Sequence, residues 1–79
     1  MTNCIIIEDQ APAQKILKRY IADTPHLKLN AIFSDAIEAN EFLEKNSIDL
    51  IFLDIHLPKI TGIDFLKSLK DHPYIILTT

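Results

Sequence analysis

The residues best suited to chemistry are acids and hydroxyls that directly follow apolar runs of the chain. Glu8 and Asp9 follow an early run, and Asp54 follows a middle one. Thr78 and Thr79 follow the last run. Carboxylates held a few ångströms apart repel one another unless a cation neutralises them, and clustered oxygen ligands suit Mg²⁺. Such an ion also favours phosphoryl transfer to a carboxylate, giving an aspartyl phosphate that a nearby hydroxyl can hydrogen-bond. The alternative is that these acids are ordinary polar residues of loops and helix N-termini.

Apolar patterning predicts the strands that position these residues. Residues 3–7 and 48–53 form short runs rich in Ile and Leu, which predict central strands buried on both faces. Residues 27–33 alternate instead, with Ile32 breaking the pattern late, and predict a strand nearer the sheet edge. The residues expected on one face of that strand are Leu27, Leu29, Ala31 and Phe33. Residues 74–77 predict a fourth strand that ends just before the two threonines.

Helical periodicity separates the predicted strands. Pro12 suits the first turn of a helix whose apolar stripe comprises Ala13, Ile16, Leu17, Tyr20 and Ile21. Ser34 or Asp35 can cap a second helix, which closes at Asn46, and Asp35 has capping-box spacing with Glu38. The expected inner face of this helix consists of Ala36, Ala39, Phe42 and Leu43. Thr61 is expected to cap a third helix over residues 63–70, with Ile63, Leu66 and Leu69 inward.

The resulting order, β-α-β-α-β-α-β, predicts one α/β domain over residues 1–79. Strands that alternate with helices pair in parallel through right-handed crossovers, with helices on both faces of the sheet. Ligands of such sheets collect at the carboxyl ends of the strands, so the acids after the first and third strands should meet there. The single glycine, Gly62, excludes a Gly-rich phosphate loop.

Composition excludes several other functions. The net charge is −3, from 8 basic and 11 acidic residues, and no basic stripe is present to bind nucleic acid directly. No segment approaches the roughly 18 apolar residues of a membrane span, and no signal peptide is recognised. The lone cysteine, Cys4, is expected to be a small buried hydrophobe without a disulfide. We therefore expect a cytoplasmic protein without membrane contact.

Four segments of the chain resemble the receiver domains of two-component response regulators. These are residues 4–9, 49–58, 61–62 and 74–79, and the likeness extends from residue 3 to residue 79. The early acid pair and the Asp54-x-x-x-Pro58-x-x-x-Gly62 spacing are specific when they occur together. The chain looks most like LytTR-type receivers, which usually precede a DNA-binding module. The resemblance implies a flavodoxin-like (CheY-like) doubly wound parallel sheet, here without its C-terminal third.

The resemblance also implies a role for individual residues. Asp54 corresponds to the phosphoacceptor, and Asp9 to the acid that ligates Mg²⁺ directly. Glu8 matches an acid that often acts on the metal through water, although Asp is commoner at that position. His56 stands where the family uses a backbone carbonyl as a metal ligand. Thr79 corresponds to the hydroxyl that contacts the phosphoryl group, with Thr78 as the fallback.

Receiver domains of this family continue with a fourth helix, a fifth strand and a fifth helix, which carry a Lys that pairs with the phosphoryl group. Without them, residues 74–77 form an unpaired apolar edge. We therefore expect a polypeptide ending at Thr79 to self-associate through this edge, or to be the ordered part of a longer chain.

The function implied is that of a phosphorylatable switch, not an enzyme. It would receive a phosphoryl group from a sensor histidine kinase and relay a conformational change to a separate DNA-binding output domain. One alternative is a pseudo-receiver, an interaction module that is not phosphorylated. Another is a phosphohydrolase with an aspartyl nucleophile, but such sites want a second Asp where this chain has His56.

Overall fold

The computed structural model describes residues 1–57, 62–69 and 73–78. Its elements in chain order are β1 (Thr2–Ile7), α1 (Ala11–Ala22), β2 (Leu27–Phe33), α2 (Ala36–Lys45), β3 (Leu50–Leu53), α3 (Gly62–Ser68) and β4 (Tyr74–Leu77). None of the described helices is long and apolar enough to cross a membrane.

The four strands form one parallel sheet in the order β2-β1-β3-β4. This confirms the predicted α/β class with a parallel sheet and helices on both faces. The central position of β1 explains its continuous apolar sequence, because Cys4, Ile5, Ile6 and Ile7 are all fully buried. The edge position of β2 is confirmed as well.

Alternate side chains of the central strands enter two separate cores. On one face Ile5, Ile7, Ile51 and Leu53 pack with residues of α2 and α3. On the other face Cys4, Ile6 and Phe52 pack with Ile21 of α1. The two cores hold the sheet between its helices and so fix the carboxyl ends of β1 and β3.

An irregularity in β2 overturns the predicted face of that strand. Cys4 pairs with Leu29 but Ile5 pairs with Ala31, so Asn30 is an extra residue in the ladder. A bulge of this kind reverses which side chains point to each face. Leu27 and Leu29 therefore pack on the α1 side, whereas Ala31 and Phe33 pack on the α2 side. The prediction that these four residues share a face is wrong.

The apolar faces of two helices follow prediction only in part. On α1, Leu17 and Ile21 pack on the core. Ile16 and Tyr20 are 70% and 54% exposed, because they line an apolar groove between α1, β3 and β4.

In the third helical segment, Leu66 and Leu69 pack against the core as predicted. Ile63 is instead 48% exposed, while Phe65, which was not predicted, is fully buried. Residues two positions apart on a helix point in nearly opposite directions, so Ile63 and Phe65 cannot both face the sheet. The predicted cap Thr61 lies outside the described residues. The helix itself spans Gly62–Ser68, so it begins one residue before and ends two residues before the predicted bounds of 63–70.

The second helix follows its prediction closely. The Asp35 side chain accepts a hydrogen bond of 2.9 Å from the Glu38 N–H, which confirms the predicted N-cap. At the other end Asn46 is the C-cap, and its amide donates to the Phe42 carbonyl at 2.9 Å. The predicted inner face is confirmed, since Ala36 and Ala39 are buried and the rest of that face is half-buried.

Two strands have bounds other than predicted. β1 begins one residue earlier, at Thr2 rather than residue 3, and β3 begins at Leu50 rather than residue 48. Residues 48 and 49 lie outside the strand, and two hydrogen bonds join Asp49 to Asn3. The Asp49 N–H donates to the Asn3 carbonyl and the Asn3 N–H donates to the Asp49 carboxylate, both at 2.9 Å.

Strand β4 presents the apolar edge that the sequence predicts. Within the described residues it pairs only with β3. Tyr74 is 82% exposed, Leu77 is 49% exposed and Ile76 is 42% exposed. The self-association expected from this edge stays a prediction.

Candidate functional site

The parallel register brings the carboxyl ends of β1 and β3 side by side. Ile7 pairs with Leu53, and the Asp54 N–H donates to the Ile7 carbonyl at 3.0 Å. The Glu8 N–H donates to the Phe33 carbonyl at 2.9 Å. Both acids are therefore fixed by backbone hydrogen bonds that continue the sheet one residue beyond the strands.

The three predicted acids come together at this edge of the sheet. Glu8, Asp9 and Asp54 each offer a carboxylate oxygen, and these oxygens all lie within 4.8 Å of one another. Glu8 and Asp54 are only 5% and 8% exposed, whereas Asp9 is exposed. Burial weakens solvent screening, so the carboxylates repel one another strongly when all are ionised. The set is all oxygen and open to solvent on one side, which fits the ligand preference of Mg²⁺.

The protonation of Glu8 reflects this crowding. Its pKa is raised from 4.5 to about 7, mainly by burial and next by hydrogen bonding to Asp54. The nearby charge of Asp54 and a hydrogen bond with Asp9 act in the same direction, and the Gln10 N–H opposes them. Two carboxyl groups hydrogen-bond only when they share a proton. Below about pH 7 the metal-free cluster therefore holds a proton that a cation can replace.

The backbone after β3 orients the Asp54 side chain. The His56 N–H donates to Asp54 Oδ1 at 2.9 Å, in a local turn of the kind that Asp commonly forms. The His56 side chain is exposed and makes none of the described hydrogen bonds. The predicted role of the His56 carbonyl as a metal ligand stays a prediction.

Two glutamines hold the segment between β1 and α1, and sequence reasoning missed both. The Gln10 N–H donates to Glu8 Oε2 at 3.2 Å, and the Gln14 side-chain amide donates to the Glu8 carbonyl at 2.6 Å. The position of Gln14 in the first turn of the helix after Glu8 is its one signal in the sequence, and that position does not identify the backbone carbonyl to which the amide donates.

The predicted hydroxyl residues have a different outcome. Thr79 lies outside the described residues, as does Pro58. The Thr78 N–H donates to the Leu53 carbonyl at 2.8 Å. Its side chain lines an apolar groove between α1, β3 and β4, and its Oγ1 has no hydrogen-bond partner among the described residues. Thr78 therefore makes no hydrogen bond to Asp54 in this structure, which leaves Thr79 as the predicted phosphoryl contact.

Sequence comparisons give one family and several curated relatives. The family model for the response regulator receiver domain matches residues 4–79. The transcriptional regulatory protein YpdB of Escherichia coli K12 is 31% identical over 78 residues, covering 95% of this chain and 32% of the relative. The chain thus spans about a third of the length of such curated relatives.

Solved structures agree with the family match. The MaeR response regulator bound to beryllium trifluoride superposes with a TM-score of 0.92 at 34% identity, covering 100% of this chain and 67% of that one. The response regulatory domain of protein MrkE from Klebsiella pneumoniae superposes with a TM-score of 0.86 at 29% identity. That match covers 96% of this chain and 65% of the MrkE domain.

Proposed function

Because the chain belongs to the response regulator receiver domain family, we propose that it is a phosphorylatable switch in which Asp54 accepts a phosphoryl group. The observation that carries this proposal is the position of Asp54. Its buried carboxylate lies at the end of a central strand, with oxygens of Glu8 and Asp9 within 4.8 Å. The phosphoryl donor is proposed to be a sensor histidine kinase, as in other two-component systems.

The transfer is a displacement at phosphorus. An Asp54 carboxylate oxygen attacks the phosphoryl group of a phosphohistidine. The P–O bond forms as the P–N bond breaks, and the imidazole nitrogen leaves with the electron pair. The His56 N–H and the backbone bond to Ile7 hold the nucleophile in one orientation, so little conformational freedom is lost at the moment of reaction.

The acidic cluster fits a magnesium ion. Glu8, Asp9 and Asp54 would hold it together with the His56 carbonyl, and the bound ion would neutralise phosphoryl oxygens. The chain's own residues supply the charge and its protonation state. Glu8 must lose its proton to contribute a full charge, and burial together with Asp54 makes that loss coincide with neutral pH.

The output of the switch is proposed to lie outside this domain. An aspartyl phosphate adds charge at the edge of the sheet, and the Thr79 hydroxyl is the proposed contact that transmits it. We propose that the signal reaches a DNA-binding output domain of the LytTR type and regulates transcription in the cytoplasm. YpdB, a transcriptional regulatory protein, supports this proposal. In this role the domain is a switch and has no separate substrate to turn over.

Intact-mass spectrometry after incubation with acetyl phosphate and Mg²⁺ tests the proposal. We expect the protein to gain the mass of one phosphoryl group, and Asp54→Asn to gain none, because the amide removes the nucleophile while nearly preserving shape. Asp23→Asn is the matched control, since Asp23 is an exposed carboxylate at the far end of α1. Phosphorylation that persists in Asp54→Asn would refute the assignment.

A further inference from the structure

Gln14 makes two hydrogen bonds to the segment that carries the first two acids. Its side-chain amide Nε2 donates to the Glu8 carbonyl at 2.6 Å, and its backbone N–H donates to the Gln10 carbonyl at 3.0 Å. Gln14 thus restrains both ends of the short connection between β1 and α1, at Glu8 and at Gln10. The side-chain bond spans six positions in sequence and is short for an amide donor.

Few other interactions restrain this connection. Gln10 is the N-cap of α1 but makes no side-chain capping bond, and the first turn contains no acidic residue. Pro12 has no N–H to offer. The bond from the Gln10 N–H uses Glu8 Oε2, so it occupies the carboxylate that Glu8 brings to the candidate metal site. The Gln14 amide is therefore a restraint that leaves the carboxylates free.

The restraint acts on the direction of Asp9. The Glu8 carbonyl and the Asp9 N–H belong to one planar peptide unit, so holding the oxygen holds the plane from which Asp9 departs. Asp9 is exposed, and no packing in a core fixes its side chain. Its carboxylate hydrogen-bonds with Glu8 at the edge of the cluster, and the direction of the backbone decides whether it can reach that position.

We propose that Gln14 is a positioning residue for the acidic cluster, acting through the Glu8 carbonyl to keep Asp9 in place for metal binding. This inference rests on the proposed function, because it assumes that the cluster binds a divalent cation. Outer partners of metal ligands typically change metal affinity by about 10-fold to 100-fold when removed. Since Gln14 acts on the backbone of one ligand, we expect the lower end of that range.

The test compares Gln14→Met with Lys15→Met. Methionine has nearly the length of glutamine but lacks the donor, and Lys15 is an exposed neighbour on the same helix. Isothermal titration with Mn²⁺ or Mg²⁺ is expected to give a Kd raised about 10-fold in Gln14→Met and unchanged in Lys15→Met. Thermal unfolding in EDTA supplies the second measurement. A residue that only stabilised the helix would lower Tm in EDTA and leave the metal affinity of the folded protein unchanged.

Each outcome is decisive. Equal metal affinity of Gln14→Met and the unsubstituted protein overturns the positioning role and leaves the proposed function intact. Absence of metal binding by the unsubstituted protein overturns the proposed function and this inference with it. If Gln14→Met does not unfold cooperatively, Gln14→Asn replaces it, because its amide is one methylene too short for the Glu8 carbonyl. The same rise in Kd is expected for that variant, and an unchanged Kd overturns the inference.

Discussion

Strand β3 has an aspartate just before its start and another just after its end, and the two differ in burial and in the charges around them. Asp49 is exposed, and its carboxylate accepts one backbone hydrogen bond, from the Asn3 N–H. Asp54 is 8% exposed and lies within 4.8 Å of two further carboxylates. Strand direction causes the difference, because in a parallel sheet only the carboxyl ends face the connections that lead into helices.

The difference shows that the acids at the end of β3 lower the stability of the fold, whereas the aspartate at its start does not. At the start of β3 a charge is satisfied by the backbone and remains in water. At its end three acids crowd together, and the cost shows in the raised pKa of Glu8. A cluster that repels itself when empty is stabilised by whatever cation it binds, and residues at functional sites commonly carry such a cost.

The largest expected effect on the free energy of unfolding comes from binding of Mg²⁺ to the acidic cluster. At about 100 times its Kd, Mg²⁺ should raise the free energy of unfolding by about 2.7 kcal/mol, because the ion binds only the folded state. Asp9→Ala should abolish this gain, while Asp49→Asn should keep it. Calorimetric unfolding with Mg²⁺ and with EDTA measures the difference. An equal gain in Asp9→Ala would place the metal elsewhere.

The next effect is the pH dependence of the metal-free protein. The pKa of Glu8 is about 7 in the folded state and near 4.5 when unfolded, so the folded state binds more protons between these values. The stabilisation is complete below pH 4.5 and is lost as the pH rises through 7, on the order of 1 kcal/mol per pH unit. Denaturant titrations in EDTA from pH 5 to 8 measure it. Glu8→Gln should flatten this slope, and a slope that survives the substitution would assign it to another group.

The sequence predicted this cluster without the structure. Two apolar runs ended in acids, and parallel topology requires such ends to meet, so Glu8, Asp9 and Asp54 followed from pattern and topology alone. The prediction for the third helix was wrong at Ile63 but correct for Leu66 and Leu69, which pack against the core. Ile63 and Phe65 are both apolar, and periodicity over one short helix cannot choose between them. The bulge at Asn30 depends on pairing with β1, and its one local signal is Ile32, which breaks the apolar alternation and packs on the α1 side. Gln14 was missed because its partner is a backbone carbonyl, which is present at every position.

A smaller effect follows from removing the charge of Asp54. In EDTA at pH 8, Asp54→Asn should raise the free energy of unfolding by about 1 kcal/mol, because it removes repulsion from an ionised Glu8. The amide oxygen still accepts the His56 N–H, so the local turn is kept. Chemical unfolding measures the change, and the gain should shrink at pH 5, where Glu8 is protonated. A loss of stability at pH 8 would contradict the electrostatic account.

The smallest effect is the same substitution at the other end of the strand, and it should have the opposite sign. Asp49→Asn keeps an oxygen that accepts the Asn3 N–H, but turns a charge-assisted hydrogen bond into a neutral one. The bond is exposed, so we expect the free energy of unfolding to fall by only about 0.5 kcal/mol. Matched denaturant titrations of the two variants at pH 8 in EDTA measure both signs in one experiment. Phosphorylation should be normal in Asp49→Asn, since its carboxylate lies at the opposite end of β3 from the cluster. Changes of the same sign in both variants would show that position along the strand does not decide what an aspartate contributes.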